Sequence, residues 1–398
     1  MNADVWDLDI DVFGDSAVGD VRDPYPEFHR LQKLGPINFV EVFGHPVMFA
    51  HRYDDVNRIL SDNETFSSTV FKDSIAMVFG PTILAMDGHE HQAHRGLVAS
   101  AFRLKALEDW KTKLIEPITH ELIDAFIERG DADLVREFNF RFPIQVIANM
   151  LGVPSEDSGL FLRRSIEMIS IAVNVERGLA ASAALKDYLA PIVAERREEP
   201  KDDLISVLAT AEVDGVRLPD ENIYGFLRLL LPAGAETTYR LLGNVLFGLL
   251  TNPDQLEEVR EDRDLVPDAI EEALRWEAPV QQTARIVMTD GIDVGGFPLR
   301  KGDSLNVSMG AANRDETTYE DPDRYNIHRE GPPHLAFGGG AHYCLGAHLG
   351  RLETSVALNA MLDRLGDLRL VPGDKDPHVH GSAFRSPTSL PVRFVGRG

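Results

Sequence analysis

One cysteine, Cys344, is all the thiol chemistry in this chain of 398 residues. That excludes an intramolecular disulfide framework and fits a reducing compartment. Basic residues are also scarce: 40 Lys and Arg stand against 64 Asp and Glu, a formal charge of -24. Nucleic acid and anionic membrane surfaces reward net positive charge, so neither is expected as a partner. A long uncharged apolar run is missing too. The most apolar stretch, 226–250, carries Arg228, Glu236 and Arg240, and charges inside a lipid span are costly. The opening MNADVWDLDIDVFGD is acidic and has no apolar core with a basic flank. Neither a signal peptide nor a membrane anchor is expected there, and the expected location is cytoplasmic. Repeats, low-complexity tracts and linkers are absent.

What remains is ordinary for a folded chain, with 43% hydrophobic and 26% charged residues. A helix is expected over 22–34, a hairpin from 40–42 and 47–49 around Gly44-His45-Pro46, and a short helix over 54–60. Residues 69–86 are apolar but broken by Gly and Pro, and read as a partly buried loop. Helical patterns dominate 90–171 and 179–199. The longest helix is expected from Asp220, as N-cap, to about residue 252, on the order of 45 Å. It is apolar around most of its circumference and so belongs at the centre of the molecule. Short strands follow over 286–308, then an irregular section at 312–336, unusually long for a compact domain without a purpose. A final helix runs from beyond Cys344 to about residue 365, and the tail is strand-like. The expectation is a mainly α fold with a small β part, drawn from about 36–50, 286–308 and 380–396, organised as one domain over 1–398.

The chemistry concentrates in Phe337-Gly338-Gly339-Gly340-Ala341-His342-Tyr343-Cys344-Leu345-Gly346. Four glycines in ten residues mark a backbone that turns tightly and lies against something flat. A thiolate at a helix start gains from the unpaired N–H groups there, which lowers its pKa and suits it to bind iron. A lone cysteine without context is most often an inert buried side chain. A Cys344–His342 nucleophile pair is a further reading, but residues two apart on such a loop seldom form one. The full spacing Phe-Gly-x-Gly-x-His-x-Cys-x-Gly resembles the haem-binding loop of the cytochromes P-450, and the length and N-terminus resemble their soluble bacterial members. The resemblance implies haem b with Cys344 as proximal iron ligand. It places Phe337 beside the thiolate, His342 at a haem propionate, and Gly338 and Gly346 among the residues shaping the loop against the haem. A thiolate ligand favours O–O cleavage.

In the long helix, Ala233-Gly234-Ala235-Glu236-Thr237-Thr238 follows Pro232. Pro232 and Gly234 weaken the helix just where a carboxylate and two hydroxyls appear. A widened turn there would leave a groove for dioxygen, with Glu236 and Thr237 relaying protons. In isolation this is equally a helix that happens to carry a Glu and two threonines. The stretch resembles the family's oxygen-activating signature. By that resemblance Glu236 and Thr237 are catalytic, Ala233 and Gly234 border the cofactor, and haem sits between this helix and the Cys-loop helix in a single triangular domain.

Glu272 and Arg275 share one helical face, which alone marks no more than a solvated ion pair. In the family such a pair forms a buried structural network with an Arg of the irregular section, here matched to Arg324. His89, His91 and His94 invite a metal-site reading, but their spacing does not bring all three to one helical face. The resemblance instead implies propionate contacts for His91, Arg95 and Arg285.

By the same resemblance the pocket walls include Val78, Phe79, Ile83 and Leu84, with Phe71 and Ile75 nearby. Ile171, Leu230, Ala233, Val280, Thr283 and Phe384 complete them, and Gln281, Gln282 and Arg385 are candidates to orient a polar group. The walls are mostly apolar, as ligand pockets usually are, although each residue is equally at home in a plain core. The implied reaction is dioxygen-dependent monooxygenation (hydroxylation or O-dealkylation) of a small apolar organic substrate. The implied electron donors are a ferredoxin and its reductase, docking near Arg103, Lys105, Lys111, Lys113 and Arg351. The alternatives are a peroxide-driven peroxygenase, which the acid–alcohol pair argues against, and a non-catalytic haem-based ligand sensor.

Overall fold

The computed structural model describes residues 21–42, 44–169, 174–371 and 376–397. The central helix spans Asp220–Thr251, 32 residues, about 48 Å at 1.5 Å per residue. Pro219 takes its cap position and Asp220 is the first helical residue. The Asp220 carboxylate accepts from Arg197 Nε at 2.9 Å, so it is committed sideways and does not cap. Asn252 and Pro253 end the helix, and Pro253 opens the next one. Most of the central helix is buried on all sides. Helices Phe142–Leu151, Ser158–Ile169, Val266–Trp276 and Ala347–Arg364 pack around it. Each buried Leu or Phe in such a core contributes roughly 1.5–3 kcal/mol.

Close contacts on the central helix fall where side chains are small. A Cβ on Gly234 would lie 3.1 Å from Ile147 Cγ1. A Cβ on Gly350, in the helix that follows Cys344, would lie 3.8 Å from Thr238 Oγ1. The central helix and the Cys-loop helix therefore touch directly beside Glu236 and Thr237.

A five-stranded sheet lies to one side, in the order Ile37–Val42, His45–Ala50, Ser304–Ser308, Gln282–Val287, Phe66–Ser67. Its own apolar cluster includes Val56, Ile59, Leu305 and Val307. A second sheet joins Leu365–Leu370, Pro391–Gly396 and Asp131–Asp133. The expected β regions are present, and further strands lie outside them: Phe66–Ser67, Asp131–Asp133, Glu212–Val213 paired with Val216–Arg217, and Leu365–Leu370 directly after the final helix. The segment 69–86 is not a plain loop. It holds a 3-10 turn (Ser68–Asp73), a short helix (Ala76–Phe79) and a second 3-10 turn (Ile83–Ala85). No described helix is long and apolar enough to cross a membrane.

Candidate active site

The Cys loop is held by its own backbone. Cys344 N donates to the Phe337 carbonyl at 2.9 Å, and Gly338 N to the Leu335 carbonyl at 2.9 Å. Gly340 has φ +61, and a Cβ there would lie 2.7 Å from the Leu60 carbonyl oxygen, so only glycine fits. Gly346 caps the helix Ala347–Arg364. Cys344 keeps accessible surface although protein surrounds it closely, the condition of a residue on the floor of a recess. Burial pushes its thiol pKa up, opposed by the Gly346 N–H and by Arg95 and Arg351. The Gly346 N–H acts in the direction expected from the helix start, and the two guanidiniums add to it. Beneath the loop, the Arg351 guanidinium lies 4.5 Å from the Phe337 ring centre and grips Glu271 with bonds of 2.6 and 2.8 Å.

Facing space in the middle of the central helix is Ala233, exposed between buried turns. Thr237 Oγ1 donates to the Ala233 carbonyl at 2.7 Å. The helix runs on through Pro232 and Gly234. Gly234 lets the helix pack closely on Ile147. Glu236 is buried, with Oε1 accepting from Arg240 Nε at 2.8 Å and the Tyr239 hydroxyl at 3.0 Å. Its Oε2 has no partner. Burial raises the Glu236 pKa against the opposing pull of Arg240.

A cationic group gathers around Asp87, the N-cap of the helix Gly88–Ala99. His342 Nε2 lies 2.9 Å from Asp87 Oδ1, and Ser68 N donates to Oδ2 at 3.0 Å. The His91 and His342 rings are 4.1 Å apart. Arg95 Nη2 donates to the Tyr343 carbonyl at 2.6 Å. Arg285, on the strand Gln282–Val287, is buried and bonds only its own strand, at Ala284 O (2.8 Å) and Thr283 Oγ1 (3.4 Å). Burial lowers the pKa of His91 to about 4 and that of Arg285 to about 10. His89 turns to Asp214 and His94 to the Glu90 carbonyl, and no metal-binding cluster of His, Cys, Asp or Glu occurs among the described residues.

The sequence profile of the family Cytochrome P450 matches residues 168–384. The chain is 35% identical to "Cytochrome P450 107B1" of Saccharopolyspora erythraea, over 97% of this chain and 98% of that one. It is 38% identical to "Steroid C26-monooxygenase" of Mycobacterium tuberculosis, over 79% and 86%. Among solved structures, substrate-free CYP109E1 from Bacillus megaterium superposes with a TM-score of 0.85 at 32% identity, covering 94% of this chain and 99% of that one. The chain belongs to the cytochrome P-450 family.

It is a cytochrome P-450 monooxygenase with the family's fold, and its cofactor is haem b. The residues present fit that group. His91 Nε2 and Arg285 Nε are buried without a partner, which is costly unless an acceptor meets them. Propionate carboxylates are such acceptors, and arginine suits them in bidentate geometry. The sole thiol of the chain opens onto the same region.

The structural network differs from expectation in one member. Arg275 binds Glu272 at 2.7 and 2.8 Å, as expected. The third partner is Arg329, whose Nε donates to the two Glu272 oxygens at 3.1 and 3.2 Å. The Arg324 side chain is exposed and contributes only its carbonyl, to Arg329 at 2.7 Å and Arg275 at 3.3 Å. A cleft of about 200 Å³ borders this network and includes Asp268, Glu271 and Arg329; none of the expected pocket walls lines it.

Among those walls, Val78 is fully buried and belongs to the core. Its carbonyl accepts from Ser182, which fixes it inward. Phe79, Ile83 and Leu230 retain slight exposure, while Leu84, Val280, Thr283 and Phe384 are half-buried. Val280 and Phe384 form a β-bridge. Arg385 is fully buried on Glu277, and Gln281 is buried with its Nε2 on Ala278 O. Arg385 is thereby committed to the structure, whereas Gln281 Oε1 is buried without a partner. Ile171 lies outside the described residues. Sequence reasoning missed Asp87, Arg240 and Arg329; only Arg240 carried a readable cue, its i+4 spacing from Glu236.

Proposed function

We propose that this enzyme inserts one oxygen atom from dioxygen into a small apolar organic molecule, by hydroxylation or O-dealkylation, in the cytoplasm. A ferredoxin and its reductase supply the electrons. The observation that carries the reading is the acid–alcohol pair of a buried Glu236 and a half-buried Thr237, placed where the central helix meets the helix that follows Cys344. Bound haem supplies the iron at which dioxygen is activated. Cys344 holds the iron, and His91, Arg95, Arg285 and His342 hold the propionates. Phe337, clamped by Arg351, packs beside the thiolate. Glu236 delivers protons, and Thr237 Oγ1, held on the Ala233 carbonyl, passes them toward the accessible face of the helix.

The test is turnover with a ferredoxin, its reductase and isotopically labelled dioxygen, screened over apolar substrates, with Cys344→Ser as control. Label in the product of the wild type alone is expected. Product formed only with added hydrogen peroxide would favour a peroxygenase and overturn the proposal.

A further inference from the structure

Among the described residues, Arg228 is a buried cation without a counter-ion. It lies on the central helix, 6% exposed, and no described carboxylate or hydrogen-bond acceptor is its partner. Its Nε is enclosed and unbonded, so what exposure remains belongs to the rest of the side chain. The nearest charged influence is Glu221, which is committed to Lys186. Burial lowers the Arg228 pKa, an expression of the same unrelieved desolvation.

The surroundings are built around the guanidinium. Gly80 has φ +81, and a Cβ there would lie 3.4 Å from Arg228 Nη1. One turn before Arg228, a Cβ on Gly225 would lie 2.1 Å from the Pro81 carbonyl oxygen. Two glycines thus let the 80–81 backbone lie on the helix and leave room for the cation. Next in the chain, Thr82 is 1% exposed and its Oγ1 also lacks a partner. Phe79 and Ile83, flanking this turn, and Leu229 and Leu230, following Arg228, retain 6, 7, 8 and 8% exposure. An unpaired cation and an unpaired hydroxyl therefore sit within an apolar wall at one junction.

We propose that Arg228, assisted by Thr82, binds a carboxylate carried by an otherwise apolar substrate. A buried arginine is stable beside a matching anion, and the apolar wall takes the body of the molecule. The inference rests on the proposed function, because it places the anion at the distal pocket of the same enzyme.

The experiment is calorimetric titration of the haem-loaded enzyme with dodecanoate and with dodecanol, for wild type, Arg228→Gln, Arg228→Lys and Thr82→Val. The wild type is expected to bind dodecanoate about 10-fold more tightly than dodecanol, the range of a hydrogen bond to a charged group. Arg228→Gln brings the ratio close to one, and Arg228→Lys keeps most of it. Equal affinity in the wild type, or an unchanged ratio in Arg228→Gln, would overturn the proposal. The carbon monoxide band of the reduced samples reports the thiolate-bound haem separately. Either overturning result with an intact band therefore defeats the anion site alone, whereas a missing band in the wild type defeats the reading on which it rests.

Discussion

Glu236 keeps one oxygen in a ring of donors and leaves the other bare. Arg240 and Tyr239 hold Oε1, and Arg240 Nη1 also donates to Ser386 Oγ at 3.0 Å, so the C-terminal turn helps fix the acid. Burial raises the carboxyl pKa, and the protonated form persists to higher pH than on an exposed Glu. If that form feeds the relay, turnover falls as pH rises through the raised value. Glu236→Gln removes this limb and slows product formation by roughly 10²-fold, the low end for general acid catalysis. Electrons are then diverted to released hydrogen peroxide. Measuring product and peroxide per NADH consumed, across pH, checks this; an unchanged product yield and pH profile would remove Glu236 from the relay. At this scale the sequence was legible wherever a motif fixes residue type and spacing, as at Cys344 and Glu236–Thr237. It was silent on Asp87, because an N-cap Asp looks the same whether or not a histidine from 255 residues away closes onto it.

Among the elements, the irregular section 312–336 shows where legibility ends. No period tells which side chain of such a segment turns inward, and Arg324 and Arg329 were equally available to Glu272. The backbone decides: Asp321 adopts φ 43, the Arg324 carbonyl turns toward Arg275 and Arg329, and the Arg324 side chain is left outside. Replacing one member of a buried ion network costs on the order of 3 kcal/mol, whereas an exposed side chain costs within about 0.5 kcal/mol. Arg329→Ala is therefore expected to lower the denaturation midpoint clearly and to weaken haem retention, with Arg324→Ala close to wild type. Chemical denaturation with haem absorbance as a second probe checks both, and the reverse order would reinstate Arg324. An unexpected strand has a similar cause. Asp131–Asp133 is a three-residue strand with little pattern of its own, and it exists because Pro391–Arg393 pairs with it.

For the whole molecule, the proposed function has a chain of formal charge -24 receive electrons from a ferredoxin, and ferredoxins are expected to be acidic. Long-range repulsion is overcome only by a local basic face. The segments Leu104–Trp110 and Lys111–Ile115 pack against the helix that follows Cys344, and Arg103, Lys105 and Lys113 are exposed there. Lys111 is half-buried and reaches Glu116 at 4.0 Å. Arg351, expected from sequence to share the docking, is turned inward onto Glu271 and Phe337, and reversing its charge would disturb the Cys loop itself. The informative variant is accordingly Arg103→Glu with Lys113→Glu. Ferredoxin-driven turnover is expected to fall about 10-fold at low ionic strength, one decade for ~1.4 kcal/mol of lost attraction. The deficit narrows as salt shortens the screening length to about 10 Å near 0.1 M. Peroxide-driven turnover, which needs no partner, stays at the wild-type rate. If both reactions fall together, or the deficit ignores salt, the electrons enter elsewhere and the basic residues are ordinary surface.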